Sequence, residues 1–210
     1  MERIDRHSYR TGTEFYRLGA LVMGKTRLAE IALPFMHEVV RRIDEYCMLC
    51  LYLPAERKTM VDQTVSCSHP LRYVRDKFIP MPIEWGATGR SILAHLSDEE
   101  IRASYEQAGP SPATGKPLPP YKEFMREIET IRQRGYAHTF GQKIPGAVGF
   151  GAPVFGPDGT VLASLCVTVP QVRYRAERVR EITGVLIEQA GELSRALGYI
   201  SDSRQAGSSI

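Results

Sequence analysis

Apolar residues recur at helical spacing from Thr26 to Glu45, where Leu28, Ile31, Phe35, Val39 and Ile43 share a face and Thr26 can cap the start. Pro34 inside this run predicts a kink. The pattern then becomes strand-like over 46–53 and 59–67, joined at Pro54-Ala55-Glu56-Arg57-Lys58, with a shorter extended piece near 71–75. Helical spacing returns from Gly86 or Ala87 through Ile92, Leu93 and Leu96, and Ser97-Asp98-Glu99-Glu100 matches a capping box that opens a further helix. Five prolines in residues 109–120 rule out regular structure there and leave an extended surface loop, either a plain connector or a cover for a ligand site. Tyr121 to Arg134 reads as an amphipathic helix stopped by Gly135, and Tyr174 to Tyr199 as a closing helix with Val179, Ile182, Leu186, Ile187, Ala190, Leu193 and Leu197 in its stripe. Residues 4–18 read as a short hairpin turning at Thr11-Gly12, too small to stand alone, and 201–210 as a disordered tail. This order predicts an α+β (mixed α/β) domain, an antiparallel sheet with helices banked against it.

The stretch Val148 to Pro170 has the sharpest two-sided pattern. Gly156-Pro157-Asp158-Gly159 supplies turn chemistry between two β-rich runs, and a four-residue loop would pair Phe155 with Thr160, Gly151 with Ser164 and Gly149 with Cys166. One face then carries Gly149, Gly151, Ser164, Cys166 and Thr168; the other carries Phe150, Ala152, Val154, Val161, Ala163, Leu165, Val167 and Val169. The second face must be buried against helices. The glycines on the first mark a bulge, a close helix approach or a binding hollow, and the pattern leaves these open.

A chain of 210 residues with net charge +3 suits one domain and does not argue for nucleic-acid binding by its bulk, although residues 1–27 hold six basic and three acidic residues. No apolar run is long enough to span a membrane and the N-terminus shows no signal-peptide pattern, so a cytoplasmic protein is expected. Cys47-Met-Leu-Cys50 with Cys67-Ser-His69 invites a zinc reading. Strand geometry over 46–53 would send the first two sulfurs to opposite faces, so the expectation is free cysteines, no metal and no cofactor.

Catalytic motifs are thin. The sequence holds no glycine-rich phosphate loop, no nucleophile elbow and no HExxH, and its five histidines are scattered. Cys166 with His69 or His138 could form a thiol and base pair, but a pocket with few ionisable groups suits binding better than turnover, and no enzyme is expected.

Tyr16-Arg17-Leu18-Gly19, Gly89-Arg90 before an apolar helix, Arg134-Gly135-Tyr136, and Ala152-Pro153-Val154-Phe155 with Asp158-Gly159 together resemble the IclR-type transcriptional regulators over roughly residues 8–199. The resemblance implies a GAF-like effector-binding domain at 19–200, preceded by a winged helix-turn-helix of which residues 1–18 resemble only the last wing hairpin. DNA is then expected to be reached only through that missing N-terminal domain, the chain being a fragment or starting late, and the assembly to be a homodimer or homotetramer. Carried over by position, the family's effector pocket falls on Pro70, Leu71 and Tyr73 at a rim loop and on Ala87 and Thr88 at a helix start. It continues at Thr139, where relatives are often acidic, at Gly149, where they often hold cysteine, and at Cys166 and Thr168, where two serines are common. These departures remove fixed polar contacts, and Gly149 enlarges the hollow. The expected effector is therefore a small organic acid, larger or more apolar than a short keto acid, near Tyr73, Trp85 and Phe150. Its carboxylate would meet backbone N–H groups near Ala87 and Thr88.

Two other classes stay in view. One is a stand-alone GAF-like sensor or interaction module without DNA binding; the other is a small-molecule enzyme using Cys166.

Overall fold

A computed structural model describes residues 27–200 and a short antiparallel pair, β1 (Glu2–Arg3) and β2 (Tyr9–Arg10). The turn expected at Thr11-Gly12 and the tail expected over 201–210 lie outside the described residues. From residue 27 the order is α1 (Arg27–Ile43), β3 (Tyr46–Leu53), β4 (Lys58–Val65), β5 (Pro80–Pro82), α2 (Gly86–Leu93), α3 (Asp98–Gln107) and α4 (Tyr121–Arg134). It continues with β6 (Ala137–Phe140), β7 (Ala147–Phe155), β8 (Val161–Pro170) and α5 (Val179–Ala196). The strands form one six-stranded antiparallel sheet in the order β5-β4-β3-β8-β7-β6. This is the α+β architecture the sequence pattern implies.

Local chemistry explains most boundaries. Ser97 accepts the Glu100 N–H while the Glu100 carboxylate accepts the Ser97 N–H, the reciprocal cap expected for α3. Gly135, at φ +77°, ends α4 and returns its N–H to the Ile131 carbonyl. Other boundaries differ from the sequence reading. Residues 71–75 form no strand; the chain crosses outside the sheet and pairs later, at Pro80–Pro82. The closing helix starts at Val179, because Arg175 is extended and Ala176–Arg178 makes a separate 3-10 turn. Four-residue β6 carries too little pattern to announce itself, yet it pairs along its length with β7.

The two faces of the sheet bury two cores. Cys47, Leu49, Val148, Phe150, Ala152, Leu165 and Val167 pack against α1 and α5, while the opposite face meets α2, with α4 behind it. Arg90 of α2 is 1 % exposed, contacts Glu127 at 2.9 Å and lies 4.5 Å from the Phe124 ring centre, fastening α2 to α4. The β7–β8 register differs from a simple four-residue loop: Gly149 pairs with Thr168, Gly151 with Cys166 and Phe155 with Val161. An irregularity at Val154/Phe155 leaves Leu162 as an extra residue. Because the offset over most of the ladder is two residues, the glycines, Ser164, Cys166 and Thr168 keep a common face. Val161, beyond the bulge, turns from the α1/α5 core to the α2/α4 core.

The end of α1 is tied to its surroundings by two carboxylates. Asp44, at φ +50°, accepts the Ser68 N–H at 2.8 Å and its hydroxyl at 2.5 Å. Glu45 is fully buried and accepts from Arg173 at 2.9 and 2.5 Å, while Arg173 also donates to the Leu71 carbonyl at 3.0 Å. Glu45→Ala should leave a partly buried guanidinium uncompensated and cost about 3 kcal/mol, read as a fall in the urea midpoint.

His95 packs edge-on to Phe155 and His138 stacks on Phe150 at 4.3 Å. Burial, then the charges of Arg132 and Arg134 respectively, push both imidazoles down to about 4. Their ordinary value is about 6.5, so between those limits the unfolded chain takes up protons that the native one refuses. The pair therefore contributes stability that is present above pH 6.5 and is lost as pH falls toward 4. His138→Phe should flatten the pH dependence of the unfolding free energy over that interval by up to one proton relative to the unsubstituted chain.

Candidate functional site

The site is the space between the sheet and the start of α2. Gly151 sets its back wall: a Cβ there would lie 2.6 Å from the Ala87 carbonyl oxygen, so a glycine is required for α2 to settle on β7. Gly89 performs the same service on the other side of α2, facing the Ile83 backbone at 2.2 Å from an added Cβ. Beside Gly149 the Ala87 methyl occupies the vacated space, 3.2 Å from the position of the absent Cβ. Of the readings left open for these glycines, close helix approach describes Gly151. Gly149 allows the same approach while lining the cavity, and the enlargement expected from it is filled by Ala87.

What remains is a compact cavity of about 60 Å³, open on one side. Ala87, Thr88, Thr139, Gly149 and Thr168 line it. Cys166 lies directly behind, fully buried and 3.0 Å from Ser164 Oγ, which in turn meets Ser91 Oγ at 2.6 Å. Leu71 and Tyr73 do not reach this cavity; they border a separate surface hollow with Gly146, Pro170, Gln171 and Val172. Tyr73 donates its hydroxyl to the Pro145 carbonyl at 3.1 Å, outside the cavity wall. Pro70 lines neither space. The rim segment instead contributes Arg75 to the cavity.

The turn between β6 and β7 contributes most of what the sequence reading missed. Gly141 and Gly146, at φ +56° and +73°, bend residues 141–146 over the cavity, and Gln142, Lys143 and Ile144 line it. Gln142 Oε1 accepts the Gly86 N–H at 2.9 Å, so the first amide of α2, next to the carboxylate seat expected near Ala87 and Thr88, is already engaged. The loop 109–120 does more than connect: Ser111 is buried and donates to the Gln142 carbonyl at 2.7 Å, and Gly109 accepts from the Trp85 indole at 3.0 Å.

Lys143 is the chemically distinctive residue. Its Nζ is buried without a hydrogen-bond partner, and burial, followed by the charge of Arg75, pushes its amine down to about 8 against the opposing influence of Cys50, Cys166 and Glu84. Cys50 and Cys166 are neighbours on the sheet. A hydrogen bond to Cys166 and burial hold the Cys50 thiol well above its ordinary range. Burial raises Cys166 too, but contacts from Cys50, Ser164 and Thr88 and the charge of Lys143 bring it below that range. Cys47 and Cys50 face opposite sides of the sheet, and among the described residues no three His, Cys, Asp or Glu side chains are grouped to hold a metal ion. No helix of the described residues is long and apolar enough to cross a membrane.

Gly151→Ala should push α2 off the sheet and cost about 1–3 kcal/mol, whereas Gly149→Ala should cost less and narrow the cavity. Urea unfolding with an unchanged m-value would distinguish the two.

Comparison with known proteins supplies the context. Residues 20–195 match the family model described as bacterial transcriptional regulator IclR C-terminal. The HTH-type transcriptional regulator KipR of Bacillus subtilis is 26% identical over 192 residues, 91% of this chain and 76% of that protein. The transcriptional repressor IclR of Escherichia coli is 20% identical over 187 residues, 89% of this chain and 68% of the repressor. Among solved structures, IclR of Thermotoga maritima superposes with TM-score 0.79 at 25% identity, covering 91% of this chain and 76% of that one. A putative IclR regulator from Silicibacter sp. TM1040 gives TM-score 0.82 at 22% identity over 95% of this chain and 78% of its own, a likeness of fold. These relatives are transcriptional regulators and not enzymes. With the C-terminal family model matched over residues 20–195, most of the chain's length, this chain belongs to the IclR family of bacterial transcriptional regulators.

Proposed function

We propose that this chain senses a small organic acid for a cytoplasmic DNA-binding regulator, the acid entering the cavity between α2 and the sheet and altering operator binding. The observation that carries this reading is the buried, unpartnered amine of Lys143 in a small cavity of a domain whose relatives regulate transcription. Contact with DNA is assigned to residues outside 27–200, in a helix-turn-helix domain joined to α1, and the working unit to a homodimer or tetramer. The boundaries proposed are a wing remnant at 1–18, the sensing domain at 19–200 and a tail at 201–210. The site comprises Ala87, Thr88, Thr139, Gly149, Cys166 and Thr168, with Lys143 and Arg75 added; Pro70, Leu71 and Tyr73 act from outside as support for the rim.

Coupling follows from the clamp at the end of α1. Asp44 holds Ser68, and Glu45 reaches the Leu71 carbonyl through Arg173, so the segment that delivers Arg75 hangs from the helix that leads toward the N-terminal residues. A ligand that binds one arrangement of that segment better shifts the equilibrium of α1 by its difference in affinity.

Thermal unfolding of the chain against a panel of aliphatic and aromatic carboxylic acids tests the sensor, with about 2.7 kcal/mol of added stability expected at a hundredfold excess over Kd. Immunoprecipitation of the chromosomally tagged protein with its DNA tests the regulator: specific sites whose occupancy changes with the acid are expected. Acid binding without any enriched DNA would leave a stand-alone sensor instead.

A further inference from the structure

Resting on the sensor reading, the charge distribution of the cavity specifies the ligand more narrowly than "acid". Lys143 presents an enclosed Nζ with no hydrogen-bond partner. Arg75 lines the same cavity from the outer side, half-buried, and its side chain's described contact is the neutral sulfur of Met81 at 2.6 Å. Among the described residues lining the cavity there is no carboxylate. The titratable groups that face Lys143 from the packed elements are Arg75, the thiols of Cys50 and Cys166, and Glu84, which acts on it from outside the lining without forming an ion pair. Asp76, next to Arg75, borders a separate outer hollow with it and makes no ion pair with it among the described residues.

Two cations that share a cavity with no carboxylate among the residues lining it repel each other, and the inner one has lost its hydration. Elsewhere in this domain buried cations are paired: Arg90 has Glu127 and Arg173 has Glu45. Placement separates the two cations of the cavity into an inner position, on the turn between β6 and β7, and an outer one, on the segment after β4. Guanidinium and ammonium groups suit the two ends of a short, doubly charged acid, the planar fork of Arg75 at the solvent side and the compact point charge of Lys143 inside.

We propose that the ligand of this cavity is a compact dicarboxylate, one carboxylate held by Lys143 Nζ and the other by the Arg75 guanidinium. The two cations, with no carboxylate beside them in the cavity wall, are then what selects for it. A neutral or singly charged analogue of the same shape leaves at least one cation unpaired.

Isothermal calorimetry on the chain, using malonate and succinate with their monoamides and diamides, tests this at constant skeleton and decreasing charge. At least a tenfold loss of affinity per charge removed is expected. Lys143→Met should abolish the advantage of the dicarboxylate over its monoamide while raising the melting temperature of the ligand-free chain, since a buried unpaired charge is removed; Arg75→Met should abolish the advantage with the melting temperature unchanged. Diamides binding as well as dianions, or full dicarboxylate affinity in Lys143→Met, would overturn the proposal. If neither dicarboxylate binds while another acid of the wider panel stabilises the chain, the proposal fails and the sensor reading stands. If no acid binds, both fail.

Discussion

The close seating of α2 on β7 is the constraint from which the rest of the site follows. Only with glycine at 151 and at 89 can the helix lie between the sheet on one side and the Ile83 backbone on the other. That position brings Ala87 and Thr88 to the cavity and lets Gln142 cap the helix. It also places Arg90 where Glu127 and Phe124 can hold it. A side chain larger than hydrogen at 151 would displace all of these together, because close-packed elements shift as bodies and do not deform locally.

Electrostatics then divides the molecule. Arg90 and Arg173, which hold elements together, have carboxylate partners, and the two cations that line the cavity have none in its wall. Unsatisfied charge at a concave, partly enclosed place is a site's characteristic departure from structural economy. The surrounding scaffold tolerates it because the turn bearing Lys143 is over-determined, bent by two left-handed glycines and buttressed by the loop at Ser111.

Much of the fold was legible because its signals are local. The Ser97 capping box, the Gly135 stop and the apolar stripe of the last helix need no distant partner to be read. The two-faced hairpin was legible for the same reason, and its face assignment survived a two-residue error in register because side chains alternate with period two. Leu162, the bulged residue, carries no glycine or proline to announce it, and so the turning of Val161 to the other core was not readable. The site was legible where it lies on strands and at the start of α2. It was illegible on the loops. Lys143 sits in Gly-Gln-Lys-Ile-Pro-Gly, which reads as an ordinary solvated turn; part of what covers it, Gly86 and Ala87 at the start of α2, lies more than fifty positions away. Tyr73 and Arg75 are two residues apart on an irregular segment, and nothing in the pattern says which of them turns inward.

The outermost strand has a consequence for assembly. β5 is three residues long and two of them, Pro80 and Pro82, have no amide hydrogen to offer. An incoming strand from a second copy would find an edge that cannot complete a ladder, and the opposite edge, β6, is only four residues long. Among the described residues, growth of the sheet from molecule to molecule is thereby discouraged at both ends, which leaves the helical faces as the surfaces through which copies could meet and close into a finite complex.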